Sequence, residues 1–205
     1  DVYVYGEVKR LNPEAPVPVL ELKRESSTNG MAWNVYNNML SFDMEVYLLT
    51  NQEKITKTRY IDEKSNQQIL RLDVEGEIKQ LEYELNEEPF DVMVISDYDK
   101  GFITQEKLFE LVDWFDGPVI IDSKKTVLPD KAYVKINDVE YKKLESKSDN
   151  LIITKGGEGT EYKGKLYPAE KVKVFDVVGA GDTFLAALTF AYLKYGSIEE
   201  AIPFA

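Results

Sequence analysis

Four short apolar runs dominate the later part of the chain: DVMVIS (91–96), PVIIDS (118–123), AYVKI (132–136) and NLIIT (150–154). Each is rich in β-branched residues and too short for a stable helix, the pattern of strands buried on both faces. Between the first two lies TQEKLFELVDWF (104–115), which sets Leu108, Leu111, Val112 and Phe115 on one helical face. EIKQLEYELNEE (77–88) also reads as a helix. Strands alternating with helices predict an α/β fold with a largely parallel sheet covered by helices.

The first 75 residues follow a different pattern. VLELK (19–23) alternates like a strand with one wet face, and KTRYIDEKSNQQILRLDVE (57–75) reads as a hairpin turning at Lys64, Ser65 and Asn66. GMAWNVYNNMLSF (30–42) predicts a helix and EVYLLT (45–50) a strand. These polar-faced strands predict a small β-sheet added to the α/β core.

The absences narrow the chemistry. The 205 residues include no cysteine and no histidine. Disulfides, thiolate metal sites, Ser-His-Asp triads and His-bound zinc are therefore excluded. What remains is carboxylates, lysine, arginine, hydroxyls, backbone amides and a hard cation such as Mg²⁺. The net charge of −12 disfavours a nucleic-acid partner, and an anionic substrate would need a local basic pocket. With no apolar run of membrane-spanning length and no signal pattern in DVYVYGEVKR, the sequence predicts a soluble, cytoplasmic protein with no membrane partner.

DVVGAGDTF (176–184) passes from strand residues through two glycines into a helical pattern. A plain helix start would use Asp182 and Thr183 as caps. A dinucleotide turn would need a third glycine where Phe184 stands, and a later strand with an acidic residue. The remaining reading is an anion hole: the N–H groups of Gly179, Ala180, Gly181 and Asp182 hold a transferring phosphoryl group, and Asp182 accepts the proton of an attacking hydroxyl. GTEYKGKL (159–166) matches G-x-x-x-x-G-K but ends in leucine and sits in an expected hairpin, so it is read as a chance match.

DVVGAGDTF, TKGGEG (154–159), KINDVE (135–140) and IDSK (121–124) together resemble, in order, the signatures of the ribokinase-like (PfkB) carbohydrate kinases. NPEAPVPVLE (12–21), SNQQILRLD (65–73) and ISDYDKG (95–101) are similar to the heptose-7-phosphate kinase branch of that family. The resemblance implies a ribokinase-like, Rossmann-type core with a β-sheet lid. It implies a single kinase domain over 1–205, with lid strands within about 2–25 and 57–75 and the core in 26–56 and 76–205, truncated at both ends relative to the family. It further implies ATP and Mg²⁺ as cofactors, a sugar-phosphate acceptor, and a homodimer contact through the lid.

Carried over by motif, Asp182 is the base and Gly179, Ala180 and Gly181 the anion hole. Asn137 and Glu140 organise Mg²⁺. Lys124, Asn137, Thr154, Gly156 and Gly159 lie by the nucleotide. Asp1, Asn29, Gly30 and Asn34 lie by the sugar, and Arg10, Arg59, Arg71 and Lys100 are candidates for the substrate's own phosphate. Plainer readings stand beside these: Asn137 and Glu140 as a capping box, Arg71 and Lys100 as solvated charges, Met31 and Trp33 as core. The sugar-side motif reads NGMAWN (29–34), with Asn29 for a glycine and Trp33 for an alanine. A different acceptor sugar, or a non-catalytic sugar-phosphate-binding relative, are the alternatives.

Overall fold

The computed structural model describes residues 1–83, 89–145, 148–170 and 178–205. By its contacts the chain divides into two compact units, Asp1–Gly30 with Gln52–Glu77, and Met31–Asn51 with Ile78–Ala205.

The smaller unit is a four-stranded sheet in the order β2-β1-β3-β4. Its strands are β1 (Val2–Leu11), β2 (Pro18–Ser27), β3 (Thr56–Asp62) and β4 (Gln67–Val74). The central pair, β1 and β3, is parallel, and the outer pairs are antiparallel hairpins. The β3–β4 hairpin turns where the sequence predicts, with Asn66 in the left-handed region at φ 54°. Cross-strand partners share a face, so Val2, Val4, Tyr60, Leu70 and Leu72 line one side, and Tyr3, Arg59 and Arg71 the other. On the first side Leu70, Leu72 and Val74 of the edge strand are 56%, 47% and 53% exposed.

One carboxylate ties the sheet together. Asp62 accepts from the backbone N–H of Val8 at 2.9 Å, and from the N–H and hydroxyl of Ser65 at 2.9 and 2.5 Å. These bonds favour its charged form and hold its carboxyl below the usual carboxylate value.

The larger unit is a six-stranded sheet in the order β10-β9-β8-β7-β6-β5. It is built from β5 (Met93–Asp97), β6 (Val119–Ser123), β7 (Tyr133–Asn137), β8 (Leu151–Thr154), β9 (Thr160–Tyr162) and β10 (Lys165–Tyr167). The four apolar runs form β5 to β8, which are mutually parallel; β9 and β10 form an antiparallel hairpin. That hairpin holds the P-loop look-alike, with Lys163 and Gly164 at positive φ in its turn.

Successive residues of each buried strand serve opposite faces. Ile121 joins Val134, Ile136 and Ile153 with Leu108, Leu111 and Val112 of α2 (Gln105–Trp114). Ile120 and Ile152 pack on the other side with α1 (Ala32–Leu40), α4 (Ala180–Tyr195) and α5 (Ile198–Ala201). The short α3 (Asp138–Tyr141) follows β7. Helix α2 starts at Thr104, whose hydroxyl accepts from Lys107 N–H at 3.1 Å, and α4 ends at a left-handed Gly196.

Two expectations have other outcomes. Residues 45–50 alternate in burial, and Val46 packs on the core, but they join no strand ladder among the described residues. The period-two pattern is present, without a strand partner among the described residues. Residues 77–83 are not helical: Leu81 packs on the core and its N–H donates to Phe102 O at 2.7 Å, a long-range bond that displaces the local helix; 84–88 lie outside the described residues. The strand expected at 174–177 lies outside them as well.

The Asp62 contacts set the acid response of the small sheet. A depressed carboxyl value means the stabilisation is complete above the ordinary carboxylate range and is lost as pH falls through the lowered value. The parent should melt above an Asp62→Asn variant at about pH 6, and the two melting temperatures should converge near pH 2. Circular dichroism melts across that range measure it.

Candidate active site

The carboxyl ends of parallel strands are where open α/β sheets bind ligands, and most of the predicted residues of the larger unit gather there. Lys124 follows β6, Asn137 ends β7, Thr154 ends β8, and Gly156 follows it. Asp182 stands in the first turn of α4, on a helix packed against α1.

The glycine turn is built around that aspartate. Gly179 takes the left-handed conformation at φ 80°, and a Cβ there would lie 2.9 Å from Asn34 Nδ2. Both facts require glycine. The first intrahelical bond runs from Thr183 N–H to Gly179 O, so the N–H groups of Ala180, Gly181 and Asp182 precede the helical ladder. Asp182 does not cap the helix. Only 7% exposed, it accepts from Asn34 Nδ2 at 2.8 Å through Oδ2 and from the Tyr98 hydroxyl at 2.8 Å through Oδ1. Burial and the Asp182 charge push the Tyr98 hydroxyl far above its ordinary value, so it stays a donor.

A second charge lies behind the turn. Lys135, 5% exposed, donates to Asp122 Oδ2 at 2.6 Å. A Cβ on Gly181 would lie 2.8 Å from Lys135 Nζ. The main chain at Gly181 therefore rests directly on a buried ion pair, and only a residue without a side chain fits. Burial pushes the Asp122 carboxyl up; Lys135 opposes this, and the nearby Glu140 and Asp182 charges add to it.

Asn137 and Glu140 form a capping box. Asn137 Oδ1 accepts from the N–H groups of Val139 and Glu140 at 3.0 and 2.8 Å, and Glu140 Oε2 accepts from Asn137 N–H at 3.3 Å. Glu140 Oε1 accepts from Lys124 Nζ at 3.0 Å. Among the described residues no cluster of three or more carboxylates could hold a metal by itself. The carboxylate oxygens of Glu140 and Asp122, whose charges act on each other, are the hard donors that suit a magnesium ion keeping most of its waters. With Asn137 Oδ1 occupied by its cap, Asn137 orients Glu140 in this arrangement.

Gly159 is required by the fold: at φ 112°, its Cβ would fall 2.0 Å from Tyr167 O. Gly156, at φ 57°, faces open space. In the smaller unit, Asp1 Oδ1 accepts from Arg59 Nη1 at 2.6 Å, and a Cβ on Gly30 would lie 2.5 Å from Asp1 Oδ2. Asn29 is exposed. Arg59 and Arg71 are direct cross-strand partners, with Arg71 held by Asp73 at 2.9 Å. Arg10 is not brought to them: it lies seven residues along β1 from Tyr3, the partner of Arg59, or roughly 23 Å of strand. Lys100 is exposed in the turn after β5. Trp33 is exposed rather than core, and Met31 is half-buried at φ 54°. A cavity of about 470 Å³ opens elsewhere, against Leu151, Ile153 and Glu161, and none of the predicted residues lines it.

Known proteins resemble this chain both in part and along its whole length. The pfkB family carbohydrate kinase profile matches residues 132–205. The bifunctional protein HldE of Nitratiruptor sp. is 31% identical over all of this chain and 57% of its own length, and that of Helicobacter pylori HPAG1 is 30% identical over all of this chain and 58% of its own. The chain is thus similar to pfkB family carbohydrate kinases in residues 132–205, and to these HldE proteins along its whole length. It spans a little over half the length of these relatives. The first match runs over 265 positions against the 205 residues here, so the relative carries about 60 positions that this chain lacks within the matched span. Ribokinase from Thermotoga maritima shares the fold at a TM-score of 0.62 and 17% identity, over 98% of this chain and 86% of that one. Ribokinase from Cryptococcus neoformans, solved in complex with ADP, gives 0.65 at 11% identity, over 98% and 87%.

Two residues of this site escape a reading by motif. Tyr98 sits inside ISDYDKG and Lys135 heads KINDVE, yet the resemblance assigns neither of them a role. A lysine inside an otherwise apolar strand is the one visible signal, since lysine is rarely buried unless paired. Gly181→Ala tests the ion pair behind the turn. Its methyl group must displace the Lys135 ammonium from Asp122 or shift the start of α4, at a cost of about 1–3 kcal/mol, measurable by urea unfolding against the parent.

Proposed function

We propose that the chain is an ATP-dependent sugar-phosphate kinase that phosphorylates the anomeric hydroxyl of D-glycero-D-manno-heptose 7-phosphate. One observation carries the reading: a buried carboxylate, Asp182, stands among the leading N–H groups of a helix, behind a left-handed glycine, and is aimed by two side-chain donors. This arrangement offers an anion hole and a base within one helical turn, the demands of phosphoryl transfer. Asp182 takes the proton of the acceptor hydroxyl as its oxygen bonds to phosphorus and the bond to the departing ADP breaks. The N–H groups of Gly179, Ala180, Gly181 and Asp182 hold the charge on the transferring group, with the Lys135 ammonium behind them. Lys124, with Thr154 and Gly156, serves the nucleotide side, and Glu140 with Asp122 would hold the magnesium ion. When bound, that ion neutralises charge on the phosphates.

The heptose assignment rests on stretches 12–21, 65–73 and 95–101, which resemble the heptose-7-phosphate kinase branch. In the smaller unit, Asp1 with Gly30 serves the sugar. The cross-strand pair Arg59 and Arg71 would offer a phosphate dianion charge-assisted donors, in exchange for their present partners Asp1 and Asp73. A second reading, a different acceptor sugar, is favoured by the exposed Trp33 beside Asn34.

ADP release with Mg-ATP and heptose 7-phosphate tests the reading, with a panel of other sugar phosphates alongside. Asp182→Asn should lower kcat by about 10²–10⁴ in a protein that still folds. Turnover that survives this change refutes the mechanism. Sugar-phosphate binding without ADP formation by the parent points to a non-catalytic relative.

The exposed apolar face of the small sheet supports a homodimer through that sheet. Leu70→Glu with Leu72→Glu should convert a dimer to a monomer in light scattering. A monomeric parent at micromolar concentration would rule this contact out.

A further inference from the structure

We propose that Tyr98 is a positioning residue for the kinase reaction, fixing Asp182 Oδ1 so that Oδ2, the oxygen shared with Asn34, receives the acceptor's proton. The inference rests on the kinase reading above and gives a role to a residue that its motifs leave without one. Each carboxylate oxygen of Asp182 has one side-chain donor, and the two donors differ in kind. Asn34 stands near the start of α1, in the stretch whose resemblance places it by the sugar; its amide can turn from Asp182 to an incoming hydroxyl.

Tyr98 has no such freedom. The residues on both sides of it are pinned. Asp97, buried, accepts from Ser123 Oγ at 2.8 Å and from Asp99 N–H at 2.9 Å, and lies 3.4 Å from Lys125 Nζ. Lys125, itself nearly covered, also bonds Asp99, which is held in the left-handed region at φ 52°. The Lys124 ammonium lies 5.7 Å from the centre of the tyrosine ring. A phenol carried on so constrained a turn holds one oxygen of the base still. The base can then rotate little, and its second oxygen keeps one direction. Fixing a reacting group in this way contributes to the rate rather than to ground-state affinity.

The test uses the whole chain, Tyr98→Phe, and 3-fluorotyrosine incorporated at the 13 tyrosines. Tyr98→Phe should lower kcat about ten- to a hundred-fold, the worth of one hydrogen bond to a charged group, and leave KM for Mg-ATP and heptose 7-phosphate within about two-fold. Tyr98→Phe also assigns the Tyr98 fluorine resonance, which should move on Asp182→Asn in the ligand-free protein. A general loss of fold would lower the melting temperature and alter both KM values. An unchanged kcat, or a raised KM at unchanged kcat, overturns the proposal. A fluorine resonance that ignores Asp182→Asn overturns the contact itself, whether or not the protein turns over. A parent that shows the fluorine response but no turnover sinks the kinase reading and leaves the contact standing.

Discussion

The first turn of α4 depends on a carboxylate that is almost wholly removed from water. An ionised group in such a place is tolerated only when its oxygens meet donors or opposite charges. Asn34 reaches Asp182 from α1 and Tyr98 reaches it from the end of β5, so the requirement draws a helix and a strand together around α4. Gly179 is left-handed and bare because Asn34 Nδ2 fills the space a side chain would take. Gly181 is bare because Lys135 does the same from below. The two glycines of the motif thus have separate physical causes, both traceable to holding charge beside the helix start.

The parallel sheet was legible because its strands carry their own signal. Ile120 and Ile121 are both fully buried, on opposite faces, and a strand that needs two apolar faces must be written as an unbroken β-branched run. Residues 45–50 show where that logic ends. Val46 is inside and Glu45 and Tyr47 are outside, as alternation demands, yet a ladder also needs a neighbour, and periodicity says nothing about one. Residues 77–83 fail in the opposite sense. Their helical spacing is real, but Leu81 spends its backbone N–H on Phe102, and one long-range bond outweighs a weak local propensity.

The site divides along the same line. Asp182, the glycines, Asn137 and Glu140 are local patterns within a few residues of each other, and the chain folds them as one turn and one cap. What the sequence could not show is which distant side chains complete them. Tyr98 lies 84 residues from Asp182 and Asn34 lies 148 away. Only the strand order, which sets β5 and β6 beside each other and α1 against α4, brings them within bonding distance. Arg10 shows what residue type leaves out: the length of a strand separates it from Arg59, with which its charge alone would group it.

The absence of histidine gives this arrangement its character. No side chain in the chain has an ordinary titration between pH 5 and 8, so no proton is exchanged cheaply in that range. Charges must instead be fixed by neighbours. Tyr98 is pushed upward and remains a donor, Lys135 is bound to Asp122, and Lys124 is bound to Glu140. Among the described residues, these groups near Asp182 are thereby committed before a substrate arrives. On the kinase reading proposed above, a carboxylate among such fixed charges gains little from a mobile proton relay and much from being aimed. The donors Asn34 and Tyr98, one to each of its oxygens, are what aims it.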